Sequence, residues 1–224
     1  MTKLGAGVLA AGLVFAPGLA LATEGDIGAA SKVGESLGGL HRSDQPEHGS
    51  GEFDSIDGAE IDGETMSGDR VVPIHILTEK DLSVDSEAFA GLVLDVLNDH
   101  QGWGGDGSVS FEIVDQDPEL TIRLATPDTV DELCAPLNTN GYTSCRSADE
   151  VILNVDRWAG ATDEFLDAGG TLADYRIYLV NHEVGHFLGH GHEEECGPEG
   201  LAPVMMQQTL DLRGCEPNGW PNIP

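Results

Sequence analysis

His182, Glu183, His186, Gly189 and His192 are the residues of this chain whose types and spacing amount to chemistry; they read H-E-x-x-H-x-x-G-x-x-H. Histidines four apart on a helix lie one turn above another on the same face, so two imidazole nitrogens address one point in space. Zinc takes histidine nitrogen at about 2.0–2.1 Å, and a catalytic zinc site keeps three protein ligands and a water. Gly189 can adopt positive φ without a Cβ penalty, which lets the helix end and the chain turn back. His192 then returns as the candidate third ligand. Glu183, beside the first ligand, can take a proton from a water held by the ion. An isolated H-E-x-x-H also occurs on ordinary amphipathic helices. The glycine and the third histidine at fixed offsets make the pattern specific.

A metal site of this kind needs a rigid helix under it. Thr171 and Asp174 make a capping-box-like start, with aspartate in place of the usual glutamate. Tyr175, Leu179, His182 and His186 follow one stripe, and Val180, Val184 and Phe187 follow another. A helix apolar on two sides is a buried central helix, and ligands on a packed helix keep their geometry better than ligands on a loop. Upstream, Val72, Ile74 and Ile76 alternate with Pro73 and His75, as in a half-buried strand; the proline predicts an edge or a strand start. Ser86 to His100 reads as a helix with Phe89, Leu92, Val93, Val96 and Leu97 as its apolar stripe and Asp85 or Ser86 as its cap. Gln101 to Gly107 is a glycine-rich turn carrying Trp103. Val109, Phe111 and Ile113 alternate, as do Leu120, Ile122 and Leu124, and Val151 to Val155 is a more buried strand.

The five motif residues match the metzincin signature residue for residue. Metzincins also carry a methionine turn below the metal, and Ala202-Pro203-Val204-Met205-Met206 stands at a suitable distance downstream. Met205 is the choice for that residue and Met206 the alternative. The run from Asn181 to Thr209 also resembles a family of uncharacterised secreted bacterial proteins, and the short ending is similar to snapalysin, a very small metzincin with an aspartate where this chain has His192. The match covers about the last third of the sequence. It implies an α+β metzincin-like (zincin) domain: a small mixed twisted sheet, two main helices with the second carrying the motif, and a short irregular C-terminal part with the methionine turn. It implies one catalytic zinc ion on His182, His186 and His192, and peptide hydrolysis with Glu183 as base. An extended substrate would pair with an edge strand lying between about Thr121 and Val155. Some metzincins steady the oxyanion with a tyrosine after the methionine turn; no tyrosine follows Tyr178 here, so that role has no candidate. His190 has the wrong offset from Gly189 for a ligand and is assigned to support or surface, and His75 to the surface.

Met1 to Ala22 reads as a secretory signal: Lys3, an uncharged apolar run, then Ala20-Leu21-Ala22 as a small-x-small cleavage pattern. Residues 23–70 are rich in Gly, Ser, Asp and Glu and poor in large apolar groups, which predicts a disordered acidic tether; a propeptide that covers the metal is the other reading. The ordered domain is expected over residues 71–224, enough for one well-buried core.

Four cysteines behind a secretion signal argue for disulfides. Three pairings exist, and the two local ones, Cys134–Cys145 and Cys196–Cys215, are chosen; each closes a short loop. The formal net charge of −30 excludes nucleic acid and anionic membrane as partners, since both are polyanions. Taken together, these features predict a secreted zinc endopeptidase, acting outside the cell or at the cell wall, monomeric, with a peptide or protein as substrate. The rival readings are a zinc-stabilised extracellular binding module without catalysis, and an amidase acting on cell-wall peptides.

Overall fold

The computed structural model describes residues 45–46, 48–56, 58 and 68–223. The expected signal segment and most of the expected tether lie outside the described residues.

The described chain is α+β. Its sheet is open and mixed. Strand β1 is Phe53–Ser55, β2 Arg70–Glu79, β3 Val109–Ile113, β4 Leu120–Ala125, β5 Cys145–Ser147 and β6 Glu150–Asn154. The order across the sheet is β1-β2-β4-β6-β5, with β3 also on β2. β2 runs parallel to β3 and β4, and β4 parallel to β6; β1 and β5 are antiparallel to their neighbours. Parallel neighbours need crossover connections, and helices supply two of them. Helix α1 (Ser86–Leu97) follows β2, and α2 (Pro127–Cys134) follows β4. Helices α3 (Val155–Gly160), α4 (Asp163–Asp167) and α5 (Leu172–Phe187) come after β6.

Alternation along each strand sends side chains to two different cores. Val72, Ile74 and Ile76 of β2, Leu120, Ile122 and Leu124 of β4, and Val151 and Leu153 of β6 face one way, and Phe89, Val93, Leu97, Leu179, Val180 and Val184 of α1 and α5 pack on them. On the opposite face Ala125, Cys145 and Ile152 pack with Val130 and Cys134 of α2. The α1 stripe is the one predicted, and Asp85 caps the helix by accepting from the Ala88 N–H at 3.0 Å. The helix stops at Leu97, short of the predicted His100.

Two expectations need correcting. Part of the segment read as tether is built into the sheet: β1 pairs with Leu77–Glu79, Ile56 is buried, and Gly51 N–H donates to Glu79 Oε1 at 2.7 Å. Phe53 and Ile56 are too few apolar residues to make a visible period, yet they suffice for a three-residue strand laid on an existing edge. Pro73 does not mark an edge, because β2 has neighbours on both sides. The β4 ladder begins only at Ile74, and Pro73 contributes its carbonyl to Glu119 N–H at 2.8 Å, so its missing N–H costs the sheet no bond.

Disulfides join Cys134 to Cys145 and Cys196 to Cys215, the two local pairings. The first ties α2 to β5; the second ties the chain after the motif to the C-terminal coil. Such bonds fit an oxidising compartment outside the cytoplasm. No helix of the described residues is long and apolar enough to cross a membrane.

Candidate metal centre

Helix α5 is built as its sequence demands. Thr171 Oγ1 accepts from Asp174 N–H at 3.1 Å, and the Asp174 carboxylate accepts from Thr171 N–H at 2.9 Å, closing a reciprocal capping box. From Tyr175 to Gly185 every residue is buried, so the helix is held on all sides. Its end is set by Gly189, whose φ of +97° is open to glycine at no cost. Gly189 N–H donates to His186 C=O at 3.2 Å and His190 N–H to Gly185 C=O at 2.9 Å, the bond pair of a Schellman motif. That reversal carries His192 back over the helix.

The three candidate ligand histidines converge. One nitrogen from each of His182, His186 and His192 lies within 4.8 Å of the others, and the Nε2 atoms of His186 and His192 are 3.0 Å apart. Two of the rings are oriented from behind. His182 Nδ1 donates to Val204 C=O at 2.8 Å, and His186 Nδ1 donates to His190 C=O at 2.9 Å. A ring that donates through Nδ1 has its Nε2 lone pair free, which is the tautomer a metal requires. Burial pushes the His182 imidazole down to about 3, and the neighbouring rings of His186 and His192 act in the same direction. Burial, and then His186, also lowers His192. Imidazoles held this way could hold a divalent metal ion.

Glu183 lies beside this triad, 6 % exposed. Burial alone raises its carboxyl group from 4.5 to about 8. It lines a cleft of about 850 Å³ together with His182, His186 and His192. Its lining also takes in most of the loop from Leu137 to Ser144, Cys145 and Arg146 of β5, and Gln207, Thr209 and Leu210. The loop is held from within: Asp131 accepts from Thr139 Oγ1 and from Gly141 N–H, and Ser144 Oγ accepts from Asn154 N–H.

Under the helix sits a floor that the sequence located only in part. A Cβ placed on Gly185, midway between Glu183 and Phe187, would come within 2.5 Å of Met205 Sδ and 2.7 Å of Trp103 Cζ2. Met205 therefore packs directly beneath the histidine-bearing turn. Met206 belongs instead to a separate cluster with Ala202, Leu212 and Cys215. Glu193 N–H donates to Met205 C=O at 3.1 Å, which links the chain leaving His192 to the methionines. Trp103 was legible only as part of a glycine-rich turn. In the structure its Nε1–H donates to Asn181 C=O at 2.9 Å and its ring stacks on His190 at 4.3 Å. His190 is thus no member of the triad but holds it, through its ring and its carbonyl. His75 bonds Ser55 Oγ at 2.6 Å on β2, apart from the triad.

Comparison with curated proteins and with solved structures gives no match. A family model matches residues 41–219, and on it the chain belongs to the DUF3152 family, described as a protein of unknown function.

Proposed function

We propose that this chain is a secreted zinc endopeptidase of metzincin type. The observation that carries the reading is the convergence of three imidazole nitrogens, each within 4.8 Å of the others, in one cleft with a buried carboxyl group. The donor set fits zinc. Ligand nitrogens at about 2.0–2.1 Å in a tetrahedron stand about 3.3 Å apart, close to the 3.0 Å between His186 Nε2 and His192 Nε2. Imidazole suits zinc, and no cysteine competes, since all four are in disulfides. The sheet with one antiparallel edge strand beside the motif helix, and Met205 beneath that helix, are consistent with a zincin upper domain and its methionine turn.

His182, His186 and His192 would hold the zinc ion, which would supply a Lewis acid able to polarise a carbonyl and lower the pKa of water. The protein's own part is positioning and proton transfer. Val204 and His190 carbonyls hold the rings in the tautomer that presents Nε2. The Glu183 carboxylate takes the proton of the attacking water and later delivers it to the nitrogen of the leaving amine. A group whose affinity for protons is raised by burial is suited to both halves of that transfer. Among the described residues strand β5 has a neighbour on one side only, β6, so its other edge offers backbone groups to an extended peptide. Leu137, Tyr142 and Leu210 are large, exposed apolar residues on the cleft walls, where peptide side chains could be buried.

The test is metal analysis of the full secreted chain, followed by cleavage of casein and of a peptide library with and without chelator. Zinc at one ion per chain, chelator-sensitive cleavage and its loss in Glu183→Ala are expected. A protein that takes up no zinc ends the proposal. Zinc binding with no cleavage of any peptide favours a metal-stabilised binding module, and release of peptides from purified wall material alone favours an amidase.

A further inference from the structure

The cations of this chain are few, and among the described residues nearly all are accounted for. Arg70 pairs with Glu119, Lys80 with Glu52, Arg123 with Glu150 and Arg213 with Glu194. Arg157 and Arg176 are buried with their guanidinium groups over the rings of Tyr142 and Trp158. Arg146 differs from all of these: it is exposed, and no described carboxylate or aromatic ring engages it. Acidic residues outnumber basic ones 40 to 10, and among the described residues a surface arginine without a carboxylate is the exception.

The place of Arg146 is specific. It is the central residue of β5, the antiparallel strand at the β6 end of the sheet. Successive side chains leave a strand on opposite faces. Cys145 stands opposite Ile152, and both lie in the core shared with α2. Arg146 stands opposite Val151, which lies in the core shared with α5. Arg146 therefore leaves the sheet on the side of the histidine-bearing helix, and it lines the same cleft as Glu183 and the triad. Within that lining Glu183 is the sole carboxylate and Arg146 the sole arginine or lysine. A chain of net charge −30 has kept its substrate cleft almost free of acids and put one cation on its wall.

We propose that Arg146 selects the substrate, by receiving a carboxylate of a peptide laid along β5. This rests on the peptidase reading of the same cleft. A guanidinium presents a planar fork of N–H donors that matches a carboxylate in two parallel bonds, which a neutral amide does not reproduce. The carboxylate is an aspartate or glutamate side chain, or the free C-terminus of the peptide. The preferred substrates are acidic or carboxyl-terminal segments, and basic peptides are disfavoured.

Fluorescein-labelled decapeptides with glutamate, glutamine or lysine walked through the six central positions, each with a free and an amidated C-terminus, test this on the full zinc-loaded chain. Binding is read by fluorescence anisotropy and cleavage by chromatography. At one position glutamate should bind about fivefold more tightly than glutamine in low salt, and less so in high salt. If the terminus is the source, amidation should instead cost that factor. Arg146→Ala should erase the difference between glutamate and glutamine while leaving the melting temperature unchanged. Arg146→Glu should reverse the preference toward lysine. A carboxylate preference that survives Arg146→Ala, equal binding of all three series, or no binding of any peptide would overturn the proposal. Charge-selective binding without cleavage would leave it standing and sink the peptidase reading; cleavage without charge selection would do the reverse.

Discussion

Replacing Glu183 by glutamine in the zinc-free protein tests the burial of that carboxyl group without any substrate. Burial raises its pKa from 4.5 to about 8. A carboxyl group whose folded pKa lies above its unfolded value binds more protons folded than unfolded between the two. Its effect on stability is therefore nil below about pH 4.5, grows unfavourable as pH rises, and is complete above about pH 8. His182 acts in the opposite sense: burial lowers it from 6.5 to about 3, so a destabilising effect present at low pH disappears as pH rises through that interval. The two overlap between about 4.5 and 6.5 and offset each other there. Of the pair, only Glu183 still titrates above 6.5. From 6.5 to 8 is about 1.5 pH units, and at about 1.36 kcal/mol per unit the parent should lose about 2 kcal/mol that the variant keeps. Urea unfolding of the chelated protein with its disulfides intact, at constant ionic strength, gives both curves. With zinc restored the difference should shrink, because a cation nearby favours the charged carboxylate. Curves for parent and Glu183→Gln that run parallel from pH 6.5 to 8 would refute a buried, protonatable Glu183.

Single replacement of His182, His186 or His192 by alanine should lower zinc affinity by orders of magnitude in a chelator competition, while His190→Ala should lower it much less; equal loss at His190 would mean the ligand set is wrong. Saturating zinc at about a hundred times its Kd should raise unfolding free energy by about 2.7 kcal/mol, read as a higher melting temperature. Opening Cys196–Cys215 by a double serine replacement should destabilise by about 2–4 kcal/mol and weaken zinc binding more than opening Cys134–Cys145, because only the former encloses Met205. Gly185→Ala gains about 1 kcal/mol of helix propensity but forces Met205 and the pinned Trp103 ring to move, an overpacking cost of about 1–3 kcal/mol; the net expectation is lower stability and altered tryptophan fluorescence.

The triad was legible because its geometry is local: four residues make one helical turn, and a glycine at a fixed offset makes one reversal. The capping box, the α1 stripe and three alternating strands were legible for the same reason. The floor was not. Met205 and Met206 are adjacent and chemically alike, and only packing against Gly185 tells them apart. Trp103 reaches the site from 78 residues before Asn181, a distance that leaves no trace in periodicity. Strand β5 has three residues, too few to show alternation, and is defined by pairing with β6 and by the Cys134 bond. Helix α2 carries one local signal: Pro127 stands at its first turn, where a proline's missing N–H is harmless. β1 depends wholly on the edge of β2 and could not be seen apart from it.

The large negative charge looks at first like the main determinant of what this protein can bind, and distance argues otherwise. Exposed charges are screened over about 8 Å at physiological ionic strength. Most of the 40 carboxylates therefore act on solubility and on long-range encounter rather than on a peptide already in the cleft. What such a peptide meets is the lining itself: Glu183, whose carboxyl group burial keeps largely protonated near neutral pH in the zinc-free protein, Arg146, and imidazoles of which His182 is held neutral. Locally the cleft is neutral to weakly cationic inside a strongly anionic molecule. A substrate with carboxylates would be slowed on approach and favoured on arrival, so added salt should speed its association while weakening its final hold. Measuring both rates across salt concentration separates the field of the whole chain from the contact at Arg146.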